Sequence, residues 1–422
     1  MNMYRHNLAI AGLALGLGLA SDSIAQNAIA DWHVVMESSI AATGRKNAVA
    51  LPYVAYVDVA MYDAVNSIDR RFQPFAVSIA TPRGASEDAA AASAAHDVLM
   101  HYFPAQSAIF DAALSNSLAA VPDGQSKTDG INVGKAVAAQ WLALRADDGL
   151  EAPIVYTPGH GPGIWEPVPT YPAPPPNTPP PPVGVWMTKF KPFALKSADQ
   201  FLNDVSGPPP LESEAWARNF NLTKDYGALN SAVRTPAQTE IGRFWTDNAV
   251  VQYSGAFRHL IVSQVLNTAE SARLAAMYSV VASDAITACM NAKYHFAFWR
   301  PYTAIHDADT DGNPNTAPDP NWVPLAVTPG HPEYPANHGC GTEAVMDAFA
   351  AFFETDEIPL AFTSAVTGTT HSFDSFADVV EEVDNARIYG GMHYRHSVKD
   401  GNKLGRMVAE YTFRRYFRRN DD

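Results

Sequence analysis

The chain has 422 residues and a formal net charge of −15, with 47% hydrophobic and 17% charged residues. Such a composition excludes general disorder, and the acidic balance excludes a surface that attracts nucleic acid or anionic lipid. An anionic ligand would have to be met in a local basic pocket, so clusters of Arg and Lys are the informative residues.

At the start, Arg5 and His6 precede an apolar run from Leu8 to Ala20, followed by Ser21, Asp22, Ser23, Ala25 and Gln26. That order predicts a signal peptide over 1–25 and an exported mature chain. The run is shorter than the ~20 apolar residues of a spanning helix, and nothing later resembles a membrane span. Losing 1–25 removes one Arg and one Asp, so the charge of the mature chain is unchanged.

Helical patterns then dominate, and the fold is predicted to be all-α, helical bundles joined by long irregular and Pro-rich loops. Its size fits one large domain or two closely packed ones. In the N-terminal helical part, 26–152, helices are expected over Tyr53 to Asn66, after a capping Ser86, and over Asn132 to Arg145. Residues 153–192 hold runs of proline between Trp165 and Trp186 and are expected to form a strap or linker, since proline removes helical hydrogen bonds. The C-terminal part, 193–422, should carry helices near Pro236–Val250, Ala269–Asn291, Thr342–Glu354 and Ser375–Arg387. Thr235, Pro236 and Gln238 have the spacing of a capping box. Asp307, Asp309 and Asp311 with Gly312 resemble the start of a calcium loop, but the twelfth position, which needs a bidentate Glu, is Pro318. A solvated turn is therefore expected there, and no calcium cofactor.

Three segments concentrate cationic and imidazole groups. They are Lys293 to Arg300-Pro301, Tyr334-Pro335-Ala336-Asn337-His338-Gly339, and Arg387 to His393. Arg can fork two N–H donors onto neighbouring oxygens, Lys adds a compact charge, and imidazole can attack, coordinate or move protons near neutral pH. Singly, each has a structural alternative. Lys293 and Arg300 could close a helix C-terminus, Arg387 could pair with Glu381 or Asp384, and His338 could be a satisfied loop histidine.

Taken together, Lys with six intervening residues before Arg-Pro, a Pro-rich loop ending in His, and Arg with five intervening residues before His resemble the three-part signature of vanadium haloperoxidases and type-2 phosphatidic acid phosphatases. The surroundings, Trp299-Arg300-Pro301, Thr328-Pro329 to Pro335, Gly390-Gly391-Met392-His393 and Asp58 to Asn66, resemble the soluble bacterial haloperoxidase-like group. The resemblance implies one oxyanion site. His393 would bind the metal of vanadate, or serve as nucleophile in a phosphatase. Lys293, Arg300 and Arg387 would neutralise the oxygens, and His338 would be the acid–base. Implied partners are hydrogen peroxide and halide, or a phosphate ester with no vanadate. A third reading is an oxyanion-binding protein without turnover.

Two positions depart from the family pattern. The loop usually reads Pro-Ser-Gly-His, whereas Ala336 and Asn337 stand here, with Asn337 as the replacement donor. Ser397 occupies the place four residues after the metal-bound His where an Asp is frequent. Asp400 or a backbone carbonyl would then have to orient His393. Because Cys289 and Cys340 each sit beside a segment that must reach the site, they are candidates for one disulfide, against the alternative of two small buried thiols. The sequence names no oligomeric interface, halide or organic acceptor.

Overall fold

A computed structural model describes residues 27–169 and 179–420. The segment expected to be a signal peptide, and residues 170–178 of the Pro-rich stretch, lie outside the described residues. Among those described, five helices build the N-terminal half: α1 (Ala28–Ala42), α2 (Leu51–Asp69), α3 (Glu87–Tyr102), α4 (Ser107–Ala120) and α5 (Gln125–Arg145). Eight follow: α6 (Glu214–Gly227), α7 (Pro236–Phe244), α8 (Ala249–Ser263), α9 (Thr268–Phe296), α10 (Pro301–His306), α11 (Asn337–Phe353), α12 (Phe376–Tyr389) and α13 (Arg395–Phe413). The all-α expectation holds, with one addition. A hairpin of β1 (Leu360–Ser364) and β2 (Thr369–Phe373), in register Leu360 to Phe373, tucks Leu360, Phe362 and Phe373 into the core.

The central element is α9, 29 residues long or about 43 Å at ~1.5 Å per residue. A capping box of Asn267 and Glu270 starts it. Ala272, Ala276, Val280, Ile286 and Cys289 let it pass between the two halves almost wholly buried. One apolar core accordingly runs from Ile29 on α1 to Phe417 beyond α13. The helix α2 with the turn before it is long and apolar enough to cross a bilayer, but most of it is buried inside this core.

Close helix pairs rest on small residues. A Cβ on Gly134 of α5 would lie 2.3 Å from the Ala90 carbonyl oxygen of α3, and one on Gly405 of α13 would lie 2.3 Å from the Cys340 carbonyl oxygen of α11. Cys289 and Cys340 are bridged, with Cα atoms 6.4 Å apart, which ties α9 to α11 beside the cationic segments described above. The extended stretch after the Pro-rich segment is pinned by Asp284 of α9, which accepts the N–H groups of Phe193, Ala194 and Leu195.

The helix expected over Pro236–Val250 is two helices. Thr235 and Gln238 form the capping box as expected, but α7 ends at Phe244 and α8 begins after Asn248. The break leaves the Trp245 carbonyl free to accept from Arg387 at 2.6 Å, while the Ala249 N–H turns to Asn47 Oδ1 at 2.9 Å. A distant cation thus claims an oxygen that a continuous helix would have used itself. The Asp-rich segment forms a short turn over Ala308–Thr310. Asp307 and Asp309 are exposed, whereas buried Asp311 accepts from Trp216 Nε1 at 2.8 Å and the Asn313 N–H at 2.7 Å.

Candidate active site

The site residues come from four places. Lys293 is in the last turn of α9, and Arg300 caps α10. The 328–336 loop leads into Asn337 and His338 at the N-terminus of α11. Arg387 is in the last turn of α12, three residues before Gly390. The turn Gly390-Gly391-Met392 then swings His393 back under the loop. Gly391 has φ of 70°, and a Cβ there would lie 2.5 Å from the Gly227 carbonyl oxygen, so the turn tolerates only glycine.

His393 is held by a carboxylate that the sequence reading did not identify. Its Nδ1 lies 2.8 Å from Glu333 Oε1, which also accepts the Tyr394 N–H at 3.1 Å, and Ser397 Oγ donates to Glu333 Oε2 at 2.5 Å. Neither Asp400 nor a backbone carbonyl supplies the orienting partner. Asp400 accepts from the Tyr334 hydroxyl instead. The other ring nitrogen, Nε2, is 3.2 Å from Arg300 NH1. A guanidinium only donates, so Nε2 is the acceptor and the ring proton sits on Nδ1 facing Glu333. Burial, with Arg300 and Lys293 close by, holds the imidazole well below its ordinary pKa, so it is neutral. Burial also pushes Glu333 up to about 7, against the hydrogen bond from Ser397 and the charges of Lys293 and Arg300.

The three cations are buried and none is offset by an ion pair with a carboxylate among the described residues; their partners are backbone carbonyls and imidazoles. Arg300 donates to the His331 carbonyl, His331 Nδ1 and the Met392 carbonyl, each at 2.9 Å. Arg387 donates to Trp245 O and lies 3.0 Å from His338 Nδ1, while its Nε–H has no partner. The alternative pairing of Arg387 with Asp384 is not made, since Asp384 accepts from Asn402. Burial lowers both guanidiniums to about 10 and Lys293 well below its usual value.

Two expected oxyanion contacts are arranged differently. The Lys293 ammonium has three donors, and it directs them to the carbonyls of Pro332, Glu333 and Pro335. It props the loop that carries Glu333, and its charge reaches the site through space. Asn337 places Nδ2 3.4 Å from Met290 Sδ and leaves Oδ1 without a partner. Asn337, His338, Arg387 and His393, together with His331, line one cavity, and the N-terminus of α11, which Ala336 leaves without a side-chain cap, adds its positive dipole end. His331, like Glu333, lay inside a quoted motif without being singled out.

Residues 273–422 match the family described as the VCPO second helical-bundle domain. The vanadium chloroperoxidase of Curvularia inaequalis is 26% identical over 267 residues, a match that covers 52% of this chain and 42% of that protein. This chain therefore aligns with less than half the length of that relative. The fold is similar to that of a bacterial vanadium-dependent iodoperoxidase, with a TM-score of 0.72 and 21% identity over 93% of this chain and 95% of the other. It is also similar to that of a holo-type bacterial vanadium-dependent chloroperoxidase, with a TM-score of 0.66 and 14% identity over 93% of each chain.

Proposed function

The chain belongs to the superfamily of vanadium haloperoxidases and type-2 phosphatidic acid phosphatases, and from that premise we propose that it oxidises halide with hydrogen peroxide, using vanadate held at His393. One observation carries the reading. A neutral imidazole whose Nε2 lone pair faces the Arg300 guanidinium stands among three buried cations that form no ion pair with a carboxylate among the described residues. Burying an uncompensated charge is expensive, so an arrangement of this kind makes sense when an anion completes it.

The residues fit a tetrahedral oxyanion. His393 Nε2 supplies the ligand atom, the unpartnered Arg387 Nε–H and the nearby guanidinium of Arg300 supply donors, and Lys293 supplies charge. Bound vanadate would contribute the Lewis acidity that activates peroxide toward halide. Glu333 fixes the tautomer and direction of the His393 ring. His338 accepts from Arg387 at Nδ1, so its proton sits on Nε2, where it can be held or passed on as acid–base chemistry requires. Export belongs to the same reading. It is supported by the N-terminal pattern and by a disulfide, which persists best in an oxidising compartment.

The experiment is bromide and iodide oxidation by hydrogen peroxide after loading with vanadate, beside p-nitrophenyl phosphate hydrolysis by the vanadate-free protein. Halide oxidation that needs vanadate is the expected result. Phosphate-ester hydrolysis alone would move the chain to the phosphatase branch, with His393 as nucleophile. Tight phosphate binding without either activity would make it a binding protein.

A further inference from the structure

His371 on β2 lies outside the site described above, and both of its ring nitrogens face carboxylates. Nδ1 is 2.6 Å from Glu382 Oε1 of α12, and Nε2 is 2.9 Å from Glu240 Oε2 of α7. The ring also stacks on Phe244, the last residue of α7, with centroids 3.8 Å apart and planes 13° from parallel. One side chain of the hairpin thus joins two helices. No other charged side chain among the described residues is in ion-pair contact with it, and β1 places the apolar Phe362 opposite. A neutral imidazole has one N–H and one lone pair, so it can donate to only one of the two carboxylates. The imidazolium, with two N–H groups, donates to both.

Glu382 Oε1 has a second donor, the indole Nε1 of Trp245 at 2.9 Å. Trp245 is also the residue whose carbonyl accepts from Arg387 NH2 at 2.6 Å, and Arg387 lies further along the helix that carries Glu382. A chain of hydrogen bonds of 2.6, 2.9 and 2.6 Å therefore runs from His371 through Glu382 and Trp245 to Arg387. The carbonyl at its end fixes one nitrogen of a guanidinium whose Nε–H has no partner. Where that carbonyl sits decides where the spare donor points.

We infer that His371 is a positioning residue for Arg387, and that the oxyanion is held best while the His371 ring carries both protons. The inference rests on the oxyanion-cage reading above. Loss of one ring proton sets a lone pair against a carboxylate oxygen, and one of the two glutamates must leave the ring. If Glu382 leaves, the Trp245 indole loses a fixed acceptor. If Glu240 leaves, α7 comes away from the hairpin just before Trp245. Either departure loosens the carbonyl that aims Arg387. The protonated ring is the form that clamps, so the clamp is complete at low pH and its contribution to anion affinity is lost as pH rises.

The probe is sulfate, a tetrahedral dianion that does not itself titrate across the imidazole range, with affinity read by calorimetry on the vanadate-free chain at about pH 5 and about pH 8. The decisive variant is Glu240→Gln. Its amide oxygen can keep the bond from the Thr369 hydroxyl, which Glu240 Oε1 accepts at 2.6 Å, while its NH2 donates to Nε2 of a neutral ring whose Nδ1–H still serves Glu382. The clamp then no longer needs the second proton. This variant should match the parent at about pH 5 and bind sulfate roughly five-fold tighter than the parent at about pH 8. A damaged fold does not give a gain of affinity. His371→Phe keeps a ring on Phe244 but removes both donors, and should weaken sulfate binding roughly ten-fold at about pH 5. Glu333 titrates in parent and variants alike, so its share of the pH dependence cancels in the comparison. The same pH dependence in Glu240→Gln as in the parent, or parental affinity in a folded His371→Phe, would overturn the positioning role. No sulfate binding by the parent at either pH would instead sink the oxyanion-cage reading, and the role of His371 with it.

Discussion

Two buried carboxylates of the scaffold, Asp63 and Asp284, are closed off by backbone N–H groups, whereas the buried guanidinium of Arg387 in the candidate site has donor capacity left over. Asp63 on α2 accepts from Phe75 at 2.7 Å, Ala76 at 3.0 Å and Val77 at 2.7 Å. Asp284 on α9 accepts in the same way from Phe193, Ala194 and Leu195 at 2.7, 2.7 and 2.9 Å. Each carboxylate staples a loop to a helix and is spent in doing so. Arg387, by contrast, keeps a partnerless Nε–H, and Arg300 abuts a histidine lone pair. Saturated buried charge holds the fold, and unsaturated buried charge awaits a ligand. A chain with a net charge of −15 can attract an anion only where such a cluster is walled off from the rest of its field.

The sharpest way to break this contrast is to remove the imidazoles. His393→Ala should abolish vanadate retention in dialysis, because the imidazole nitrogen that would bond the metal is gone. His338→Ala should retain vanadate but lose turnover by about 10²–10⁴, the usual effect of deleting a general acid–base. If His338→Ala loses vanadate and His393→Ala keeps it, the roles are reversed.

A smaller effect should separate the two kinds of buried charge directly. Asp284→Asn puts an amide against three N–H groups and leaves at least one without an acceptor. It should cost about 1–3 kcal/mol of stability, read from the urea midpoint, with vanadate affinity unchanged. Arg387→Ala should do the converse for the ligand, weakening vanadate or phosphate binding by about 1.5–3 kcal/mol. Equal losses of anion affinity in both variants would mean that the anion responds to the scaffold as a whole.

The same contrast explains what was legible in the sequence. Local signals read well. Thr235 and Gln238 announce a capping box, and Ala269–Asn291 announces most of α9, because neighbours in the chain decide both. The segments that meet were marked by their joint resemblance to the three-part signature, since each cation taken singly had a structural alternative. Direction was not legible. Nothing near Lys293 shows that its donors go to loop carbonyls 39 to 42 residues away, and nothing near Trp245 shows that Arg387, 142 residues on, takes its carbonyl and ends α7. Glu333 escaped for the same reason. An orienting partner for His393 was sought one helical turn ahead, but the carboxylate arrives from a loop 60 residues earlier. The hairpin was missed because β2, Thr-Thr-His-Ser-Phe, is mostly polar and becomes a strand only through β1.

The smallest expected effect tests that rerouted orientation. Ser397 donates to Glu333 Oε2, while Oε1 holds both His393 Nδ1 and the Tyr394 N–H, so the hydroxyl steadies the carboxylate without touching the ring it orients. Ser397→Ala should therefore weaken vanadate binding by about 0.5–1.5 kcal/mol, the net worth of one hydrogen bond. Glu333→Gln, which changes the atom facing Nδ1 and its charge, should weaken binding by about 10–100-fold. Ser397→Asp sets a second carboxylate against Glu333 Oε2. Two like charges that close cannot both ionise in a buried site, so this variant should bind vanadate less well than Ser397→Ala. Equilibrium dialysis of the three proteins against vanadate ranks them. If Ser397→Asp binds as well as the parent chain, the residue at 397 orients His393 directly, and Glu333 is a bystander.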